Sequence, residues 1–154
     1  QADLIRKRLM GVRMRLYATE TYLKGRPPIE KMEDISHHRL ICQSPNSFQV
    51  AAGATLVQHL LTFDVPSLLT VNNYFGALQA VLANLGVGVL PDYVTEDFPD
   101  LVRVLPEVES GEVPVFLAYP EELRQSKRVA AFRDFVQEEI FAHRRKMKEM
   151  TETG

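Results

Sequence analysis

Two adjacent asparagines, Asn72 and Asn73, are the residues of this sequence best placed to hold a ligand. They follow an apolar run that predicts a buried strand, and they precede residues that predict a helix. The first N–H groups of a helix have no partner within it, and the helix dipole there favours negative charge. Simple N-capping explains the same asparagines, and both roles can hold at once. The predicted binding turn consists of Val71, Asn72, Asn73, Tyr74 and Phe75.

Thr19 has the same local setting as this turn. It ends a predicted strand over residues 12–18 and opens a predicted helix over residues 20–23. Threonine is a favoured N-cap because its hydroxyl accepts a hydrogen bond from the first helical turn. The residues by themselves therefore favour capping for Thr19.

Other residues of the reactive types lack the pattern that their chemistry needs. His37 and His38 are adjacent and have no second ligand pair nearby, which argues against a metal site. Cys42 lies in an apolar run and is expected to be buried and structural. Gly86 and Gly88 lead into a strand, whereas a dinucleotide-binding motif needs the reverse order. We therefore predict no catalytic residue, no cofactor and no metal ion.

The charge of the chain argues against DNA binding by this chain itself. It carries 18 basic and 20 acidic residues, a net charge of -2, whereas a DNA-binding domain normally has a basic face. The basic clusters at residues 6–8 and 144–146 belong to no helix-turn-helix pattern and are interpreted as solvated ends. Nucleophile-elbow and phosphate-loop motifs are absent from the sequence.

The size and composition indicate a folded protein of one domain or two small lobes. The chain has 154 residues, of which 45% are hydrophobic and 25% charged. Its one cysteine excludes an internal disulfide, which is consistent with a reducing cytoplasm. No run reaches the roughly 20 apolar residues that span a bilayer. Because the sequence opens with Gln, we expect it to be a fragment.

The elements that must position these residues are clearest between Asp64 and Asp92, where no residue is charged. Strands over residues 67–71 and 87–90 flank a helix whose apolar face is predicted to hold Phe75, Leu78, Leu82 and Leu85, with Gly86 as its end. Continuous apolar strands of this kind are typical of a parallel sheet covered on both faces. The sequence therefore predicts an α/β fold.

The remaining elements are assigned from the period of the apolar residues. Strands are expected over residues 3–9, 12–18 (with one buried face), 38–43, 101–105 and 113–119. Short helices are expected over residues 30–36 and 92–96, and a loop over residues 44–54. Residues 54–63 are assigned to a strand, with a helix left open. Ser126 caps a final helix, whose predicted buried stripe is Val129, Phe132, Val136 and Ile140, with Phe135 beside it.

The order of these segments resembles LysR-type transcriptional regulators. The resemblance rests on VNN at residues 71–73, LGVGVLPDY at 85–93, LYATETYL at 16–23, EDISHHRLI at 33–41 and the closing helix at 127–136. It runs from about Ala2 to about Gln137. Five motifs in the family order make it specific, although none is decisive alone.

The resemblance implies a periplasmic-binding-protein-like fold of two α/β lobes, the second complete and the first partial. Residues 1–14 would be a first-lobe remnant and hinge strand, and residues 15–112 the second lobe. Residues 113–140 would be the return strand and closing helix of the first lobe, and residues 141–154 a basic, mobile tail. With the first half of lobe one absent, we expect exposed apolar surface, looseness or pairing with another chain there.

The function implied is effector sensing in a bacterial, cytoplasmic transcription regulator. A small effector, with an anion as one option, would bind between the lobes, at Thr19 through its hydroxyl and at residues 71–75 through backbone N–H groups. Arg13 and Arg15 would lie near the hinge, where a solvated strand face is favoured and charge pairing with an acidic effector stays open. DNA would be bound only by a winged helix-turn-helix domain outside this chain, and self-association as a dimer or tetramer is expected. No membrane partner is implied.

Two other classes of function stay open on the sequence alone. One is a periplasmic-type solute-binding protein, which an export signal in the complete gene would support. The other is a small α/β enzyme, which is supported only by the anion-friendly turn at Asn72 and Asn73.

Overall fold

The computed structural model describes residues 3–44, 51–65 and 67–152. The chain divides into two compact units. Unit 2 is the continuous stretch of residues 12–113, and unit 1 combines residues 1–11 with residues 114–154. Among the described residues, no helix is both long and apolar enough to cross a membrane.

Most strands belong to one sheet in unit 2. The strands are β1 (Leu4–Val12), β2 (Met14–Thr19), β3 (Arg39–Gln43), β4 (Ser67–Val71), β5 (Val87–Pro91), β6 (Leu101–Glu109) and β7 (Val113–Pro120). The five-stranded sheet has the order β4-β3-β5-β2-β6, while β1 and β7 form a separate two-stranded sheet. β3 pairs in parallel with β4 and β5, whereas β2 runs antiparallel to β5 and β6.

The helices are α1 (Glu20–Leu23), α2 (Ala51–Leu60), α3 (Tyr74–Leu82) and α4 (Lys127–Glu152). Short 3-10 helices cover Met32–His37, Leu61–Phe63, Asp92–Asp97 and Glu121–Leu123. The predicted short helices over residues 20–23, 30–36 and 92–96 are confirmed, with shifts of one or two residues at their ends. α4 continues through residues 141–152, which we assigned to a tail.

The sheet of unit 2 is covered on both faces because successive residues of a strand point to opposite sides. In β2, Leu16 belongs to one apolar cluster and Tyr17 to the other, and both are buried. Leu56, Val57 and Leu60 of α2 complete the first cluster; Ala77, Leu78 and Val81 of α3 complete the second. The expectation of only one buried face for this strand is wrong at Tyr17, which α3 covers.

Residues 54–63 form a helix and a 3-10 turn, which is the alternative that the sequence left open, rather than the strand that we assigned. The buried residues Leu56, Val57 and Leu60 have the spacing of one helical face. This helical spacing was obscured in the sequence by the β-branched residues Thr55 and Val57, which are typical of strands, and by the apolar residues that follow His59. The predicted loop over residues 44–54 fails at residues 51–54, which are helical, and residues 45–50 lie outside the described residues.

The helix after the Asn72–Asn73 pair is confirmed, but its buried face differs from the predicted one. Its buried residues are Ala77, Leu78 and Val81, whereas Phe75 is 62% exposed and Leu85 lies beyond the helix end. The helix stops at Asn84 rather than at Gly86, because Asn84 adopts the left-handed conformation at φ 61°.

Gly86 and Gly88 are required by packing rather than by a cofactor. A Cβ on Gly86 would lie 2.3 Å from the carbonyl oxygen of Arg39 in β3. A Cβ on Gly88 would lie 2.3 Å from Cγ2 of Val81 in α3. The two glycines therefore allow β5 to approach both a neighbouring strand and the helix above it.

Unit 1 exposes much of its apolar surface. The predicted buried stripe of α4 is wrong for Phe132, which is 57% exposed, and its neighbour Phe135 is 59% exposed. Val129, Val136 and Ile140 are half-buried. Ser126 caps this helix as predicted, accepting from the Val129 N–H at 3.4 Å. Exposed apolar surface is what the incomplete-lobe interpretation predicts for this unit.

Candidate functional site

One edge of the five-stranded sheet gathers most of the polar side chains that could bind a ligand. The parallel strands β3, β4 and β5 all end at this edge, which we call the carboxyl edge. The antiparallel strand β2 begins there, since Met14 pairs with Pro91. β6 ends there, since Arg15 pairs with Glu109. Ligands in open α/β sheets commonly lie outside the carboxyl ends of the strands.

The turn of residues 71–75 lies at this edge and is fixed to β3. The Ser44 N–H donates to the Val71 carbonyl oxygen at 2.9 Å. Gln43 Nε2 donates to the Asn72 carbonyl oxygen at 3.0 Å, and Asn73 Nδ2 donates to Asn72 Oδ1 at 2.8 Å. These bonds hold the turn while the side chains of Asn72 and Asn73 remain exposed.

Asn73 is the N-cap of α3, as its position predicts. Its Oδ1 accepts from the Gly76 N–H at 2.8 Å. The N–H groups of Tyr74 and Phe75, the first two helical residues, have no acceptor within the helix. Capping by Asn73 and an anion-binding helix start are therefore compatible in this geometry.

Tyr74 connects the turn to the segment that follows β5. Its ring meets the Tyr93 ring edge to face, with centroids 6.4 Å apart and an interplanar angle of 82°. Burial, with a smaller contribution from the hydrogen bond to Tyr74, raises the pKa of the Tyr93 hydroxyl above its usual range. The Tyr93 hydroxyl therefore stays protonated and can act as a hydrogen-bond donor.

A cluster of arginines on the same edge surrounds one carboxylate. Glu109 accepts from Arg13 Nη1 and Arg15 Nη2, each at 3.0 Å, and from Arg103 Nη2 at 3.2 Å. Arg15 Nη2 also lies 3.9 Å from a carboxylate oxygen of Asp92. The prediction that Arg13 and Arg15 lie on a solvated strand face is wrong, because both are held in ion pairs and the Arg15 side chain is only 23% exposed.

This cluster holds more donors than acceptors. Three guanidinium groups share the carboxylates of Glu109 and Asp92, and the Nε atoms of Arg15 and Arg103 are buried without a hydrogen-bond partner. Burial raises the pKa of the adjacent Tyr17 hydroxyl, and the positive charge of Arg15 opposes that rise. The carboxyl edge can therefore accept a further negative charge.

Ser110 closes this edge where β6 ends. Its buried Oγ accepts from the Met14 N–H at 2.9 Å and donates to the Gly111 carbonyl oxygen at 2.7 Å. The Ser110 N–H donates in turn to the Met14 carbonyl oxygen at 2.9 Å. The first and last strands of unit 2 are thereby joined where they enter and leave it.

Thr19 lies at the opposite, amino edge of the sheet. β2 has six residues, so Met14 and Thr19 at its two ends are about 17 Å apart along the strand. The Thr19 hydroxyl accepts from the Tyr22 N–H at 3.1 Å, so the predicted cap is confirmed, and it donates to Asn84 Oδ1. Unit 2 does not bring Thr19 together with residues 71–75.

The other reactive residues have structural surroundings. Cys42 is fully buried, and burial raises the pKa of its thiol to about 11. The His38 ring is 2% exposed and lies within hydrogen-bond distance of the Pro27 carbonyl oxygen and the Tyr22 hydroxyl. Among the described residues, no group of three or more His, Cys, Asp or Glu side chains could hold a metal ion.

The sequence analysis did not select the acidic and aromatic members of the carboxyl edge. Asp92, Tyr93, Arg103, Glu109 and Ser110 were assigned to strands or turns without a role. Asp92 and Tyr93 directly follow a buried strand, which is a signal that could have identified them. Glu109 and Ser110 offer no such signal, because they reach the site only through their pairing with β2.

Comparison with known protein families gives one match that decides the assignment. The family described as LysR substrate binding domain matches residues 1–140. The chain belongs to this family. It is thus the effector-sensing domain of a LysR-type regulator, and a solute-binding protein or an enzyme is not favoured. The predicted fold class, α/β and periplasmic-binding-protein-like, is confirmed.

Solved structures support the same fold for this LysR-family chain. It is similar to the regulatory domain of CrgA, a LysR-type transcriptional regulator from Neisseria meningitidis, with a TM-score of 0.69, 20% identity, and coverage of 89% of this chain and 69% of that one. It is also similar to full-length AphB, a virulence activator of Vibrio cholerae (TM-score 0.63, 21% identity, 89% and 48% covered). The regulatory domain of AphB in Vibrio vulnificus is also similar, with a TM-score of 0.62, 21% identity, and coverage of 88% of this chain and 70% of that one.

The chain spans about half the length of full-length AphB and about seven-tenths of the isolated regulatory domains that it matches. A search of curated proteins gives no significant match.

Proposed function

We propose that this LysR-family domain binds a small anionic effector at the carboxyl edge of its five-stranded sheet. The observation that carries the proposal is the joint position of two features. The turn of residues 71–75 presents helix-start N–H groups that have no acceptor within the helix, and the arginine cluster around Glu109 has donors in excess. Tyr74 and Tyr93, whose rings meet edge to face, supply an aromatic wall.

The chemistry of these groups selects the class of effector. A carboxylate or similar oxyanion would accept from backbone N–H groups at the start of α3 and from Arg15, for which charge-assisted hydrogen bonds are the strongest kind. The exposed rings of Tyr74 and Phe75 favour a ligand with an apolar or aromatic body. Thr19 is not part of the proposed site, because its hydroxyl already caps α1 and binds Asn84.

In the complete regulator, we propose that this binding changes the affinity for DNA. An effector can shift a conformational equilibrium only by as much as it prefers one conformation over the other. The DNA contacts would come from a part of the regulator outside this chain, in the bacterial cytoplasm. The exposed phenylalanines of unit 1 support self-association as a dimer or tetramer. Residues 15–112 would be the second lobe, and residues 1–14 with 113–140 part of the first.

The proposal is tested by calorimetric titration of the chain with a panel of small carboxylates, including aromatic and aliphatic ones. We expect at least one to bind saturably, and Arg15→Gln to weaken that binding by about tenfold or more, because it removes a charged donor. Arg15→Lys, which keeps the charge, should weaken it less. Arg128→Gln, which removes an exposed charge in unit 1, is the control. No binding across the panel, or equal losses for Arg15→Gln and Arg128→Gln, would contradict the proposed site.

A further inference from the structure

A second cavity of unit 2 lies at the amino edge of the sheet, where Thr19 ends β2. It is open to solvent and has a volume of about 370 Å³, which is within the range of small-molecule sites. Tyr22 and residues 37–39 form part of its lining, and Asn84 and Leu85 after α3 form another part. Arg26 completes the lining. None of these residues belongs to the carboxyl edge.

The charged residues of this lining are all basic. Arg26, Arg39 and His37 contribute to it, and no carboxylate does. The Arg26 guanidinium lies 4.5 Å from the centroid of the Tyr22 ring. That contact holds the guanidinium in place and leaves its positive charge unneutralised. Among the described residues, no carboxylate forms a salt bridge with Arg26.

The positive charge at the cavity also affects the pKa of His38. Burial is the largest cause that lowers the pKa of this imidazole, the hydrogen bond with the Pro27 carbonyl oxygen opposes the lowering, and the positive charge of Arg26 adds to it. The carboxyl end of α3 contributes about half a unit of negative charge nearby. The full positive charge of Arg26 exceeds that contribution, so the cavity as a whole attracts anions.

Asn84 can supply a neutral donor to the cavity. The Thr19 hydroxyl donates to Asn84 Oδ1, and this bond turns the amide nitrogen of Asn84 away from Thr19. Asn84 occupies a left-handed position at φ 61°, where glycine is the usual residue. An asparagine there places an amide at the cavity, which a glycine could not do. Leu85, 39% exposed, offers an apolar contact for the body of a ligand.

We infer that this amino-edge cavity is a second binding site for a small oxyanion, a phosphate or carboxylate group, held by Arg26 and Arg39. Guanidinium groups suit this chemistry because their donors match two oxygens of one anion. The site goes beyond the proposed effector site and uses none of its residues. It would let the domain respond to a second ligand, or to the phosphate level, independently of the effector.

The test is a titration of the chain with inorganic phosphate and, separately, with malonate, followed by amide chemical shifts at constant ionic strength. We expect saturable shifts at Arg26, Arg39 and Asn84 with at least one of the two probes; the probe that binds more tightly distinguishes phosphate from carboxylate selectivity. Arg26→Gln should weaken binding by about tenfold or more. Lys24→Gln removes the same charge two residues away, outside the cavity, and should change the affinity less than twofold.

Asn73→Ala, which alters the carboxyl edge, should leave phosphate or malonate binding at the amino edge unchanged. The inference is overturned if neither anion produces saturable shifts at these residues. It is also overturned if Lys24→Gln weakens binding as much as Arg26→Gln does, since the effect would then be one of overall charge. Retained secondary-structure signals in each variant would show that the loss does not come from unfolding.

Discussion

At the scale of single residues, Ser110 shows how one buried hydroxyl fixes two strands. Its Oγ is the acceptor for the Met14 N–H, and both groups are buried. We expect Ser110→Ala to lower the free energy of unfolding by about 1–3 kcal/mol, because the Met14 N–H would be left buried without a partner. Chemical denaturation measures this change.

Ser36 provides the matched control for that experiment. Its Oγ donates to the Glu33 carbonyl oxygen at 2.7 Å in an exposed turn, where water can replace the bond. Ser36→Ala should therefore cost less than about 1 kcal/mol. Equal losses for Ser110→Ala and Ser36→Ala would show that the strand connection contributes nothing special to stability.

His38 makes the stability of the domain depend on pH. Burial lowers the pKa of this imidazole below its ordinary value of 6.5 in the folded protein. Above that pH both the folded and the unfolded chain carry a neutral His38, so stability is unaffected. As the pH falls below 6.5, the unfolded chain takes up the proton first, and the free energy of unfolding decreases until the folded pKa is passed.

The measurement is the free energy of unfolding of the wild type and of His38→Gln between pH 5 and pH 7.5. The wild type should lose stability towards pH 5 more steeply than the variant, by up to about 1.4 kcal/mol per pH unit. His59→Gln, at an exposed position, should retain the wild-type slope. Parallel curves for the wild type and His38→Gln would assign the pH dependence to other groups.

At the scale of elements, the contact between α3 and β5 depends on the absence of a side chain at Gly88. A Cβ there would meet Cγ2 of Val81, which is a side-chain atom that a second substitution can remove. Gly88→Ala should destabilise the domain by about 1–3 kcal/mol. In combination with Val81→Ala, the loss should be smaller than the sum of the two single losses by about 1 kcal/mol.

Gly86 supplies the control for this double-mutant cycle. A Cβ on Gly86 would meet the backbone oxygen of Arg39, which no side-chain substitution removes. Val81→Ala should therefore give Gly86→Ala no relief. If the losses in unfolding free energy are additive in both pairs, the contact between position 88 and Val81 does not limit how α3 packs on β5.

The sequence predicted most elements of unit 2 because its strands are continuous apolar runs bounded by Gly, Pro and Asn. It failed at α2, where the burial of Leu56, Val57 and Leu60 defines a helical face that mixed neighbours obscure. It also placed Thr19 with Asn73, since both follow a strand and begin a helix. Strand direction separates them: β2 is antiparallel to β5, and local sequence does not encode that direction.

The arginine cluster could not be predicted from local sequence for a related reason. Arg15 meets Glu109 through the pairing of β2 with β6, whose register shifts between Arg15 and Leu16. Such a shift changes which side chains face each other, and it is set by packing across the sheet. The residues of the turn at Asn73 are contiguous, so their part of the site could be predicted.

At the scale of the whole molecule, the two units differ in how they cover apolar side chains. Unit 2 buries its clusters on both faces of a sheet, whereas unit 1 exposes Phe116, Phe132, Phe135 and Phe141 by 48–77%. We expect the chain to bind a hydrophobic fluorescent dye, because exposed apolar side chains of this kind are typical of interaction surfaces.

Paired substitutions locate the dye-binding surface. Phe132→Ser combined with Phe135→Ser should reduce dye fluorescence by more than half while leaving the unfolding of unit 2 unchanged. Phe75→Ser, which changes a single phenylalanine that is 62% exposed in unit 2, should reduce the fluorescence only slightly. A larger effect from Phe75→Ser would show that the dye binds mainly to unit 2.

The bonds between Met14 and Ser110 have a consequence for how this unit can be handled. Because they join the first and last strands of a continuous segment, its two ends lie side by side. A short linker could close residues 12–113 into a ring, and new termini could be opened in the turn at residues 99–100 without cutting a strand. The segment thus has the geometry of a cassette, which a single recombination event could insert into a host protein or remove from it.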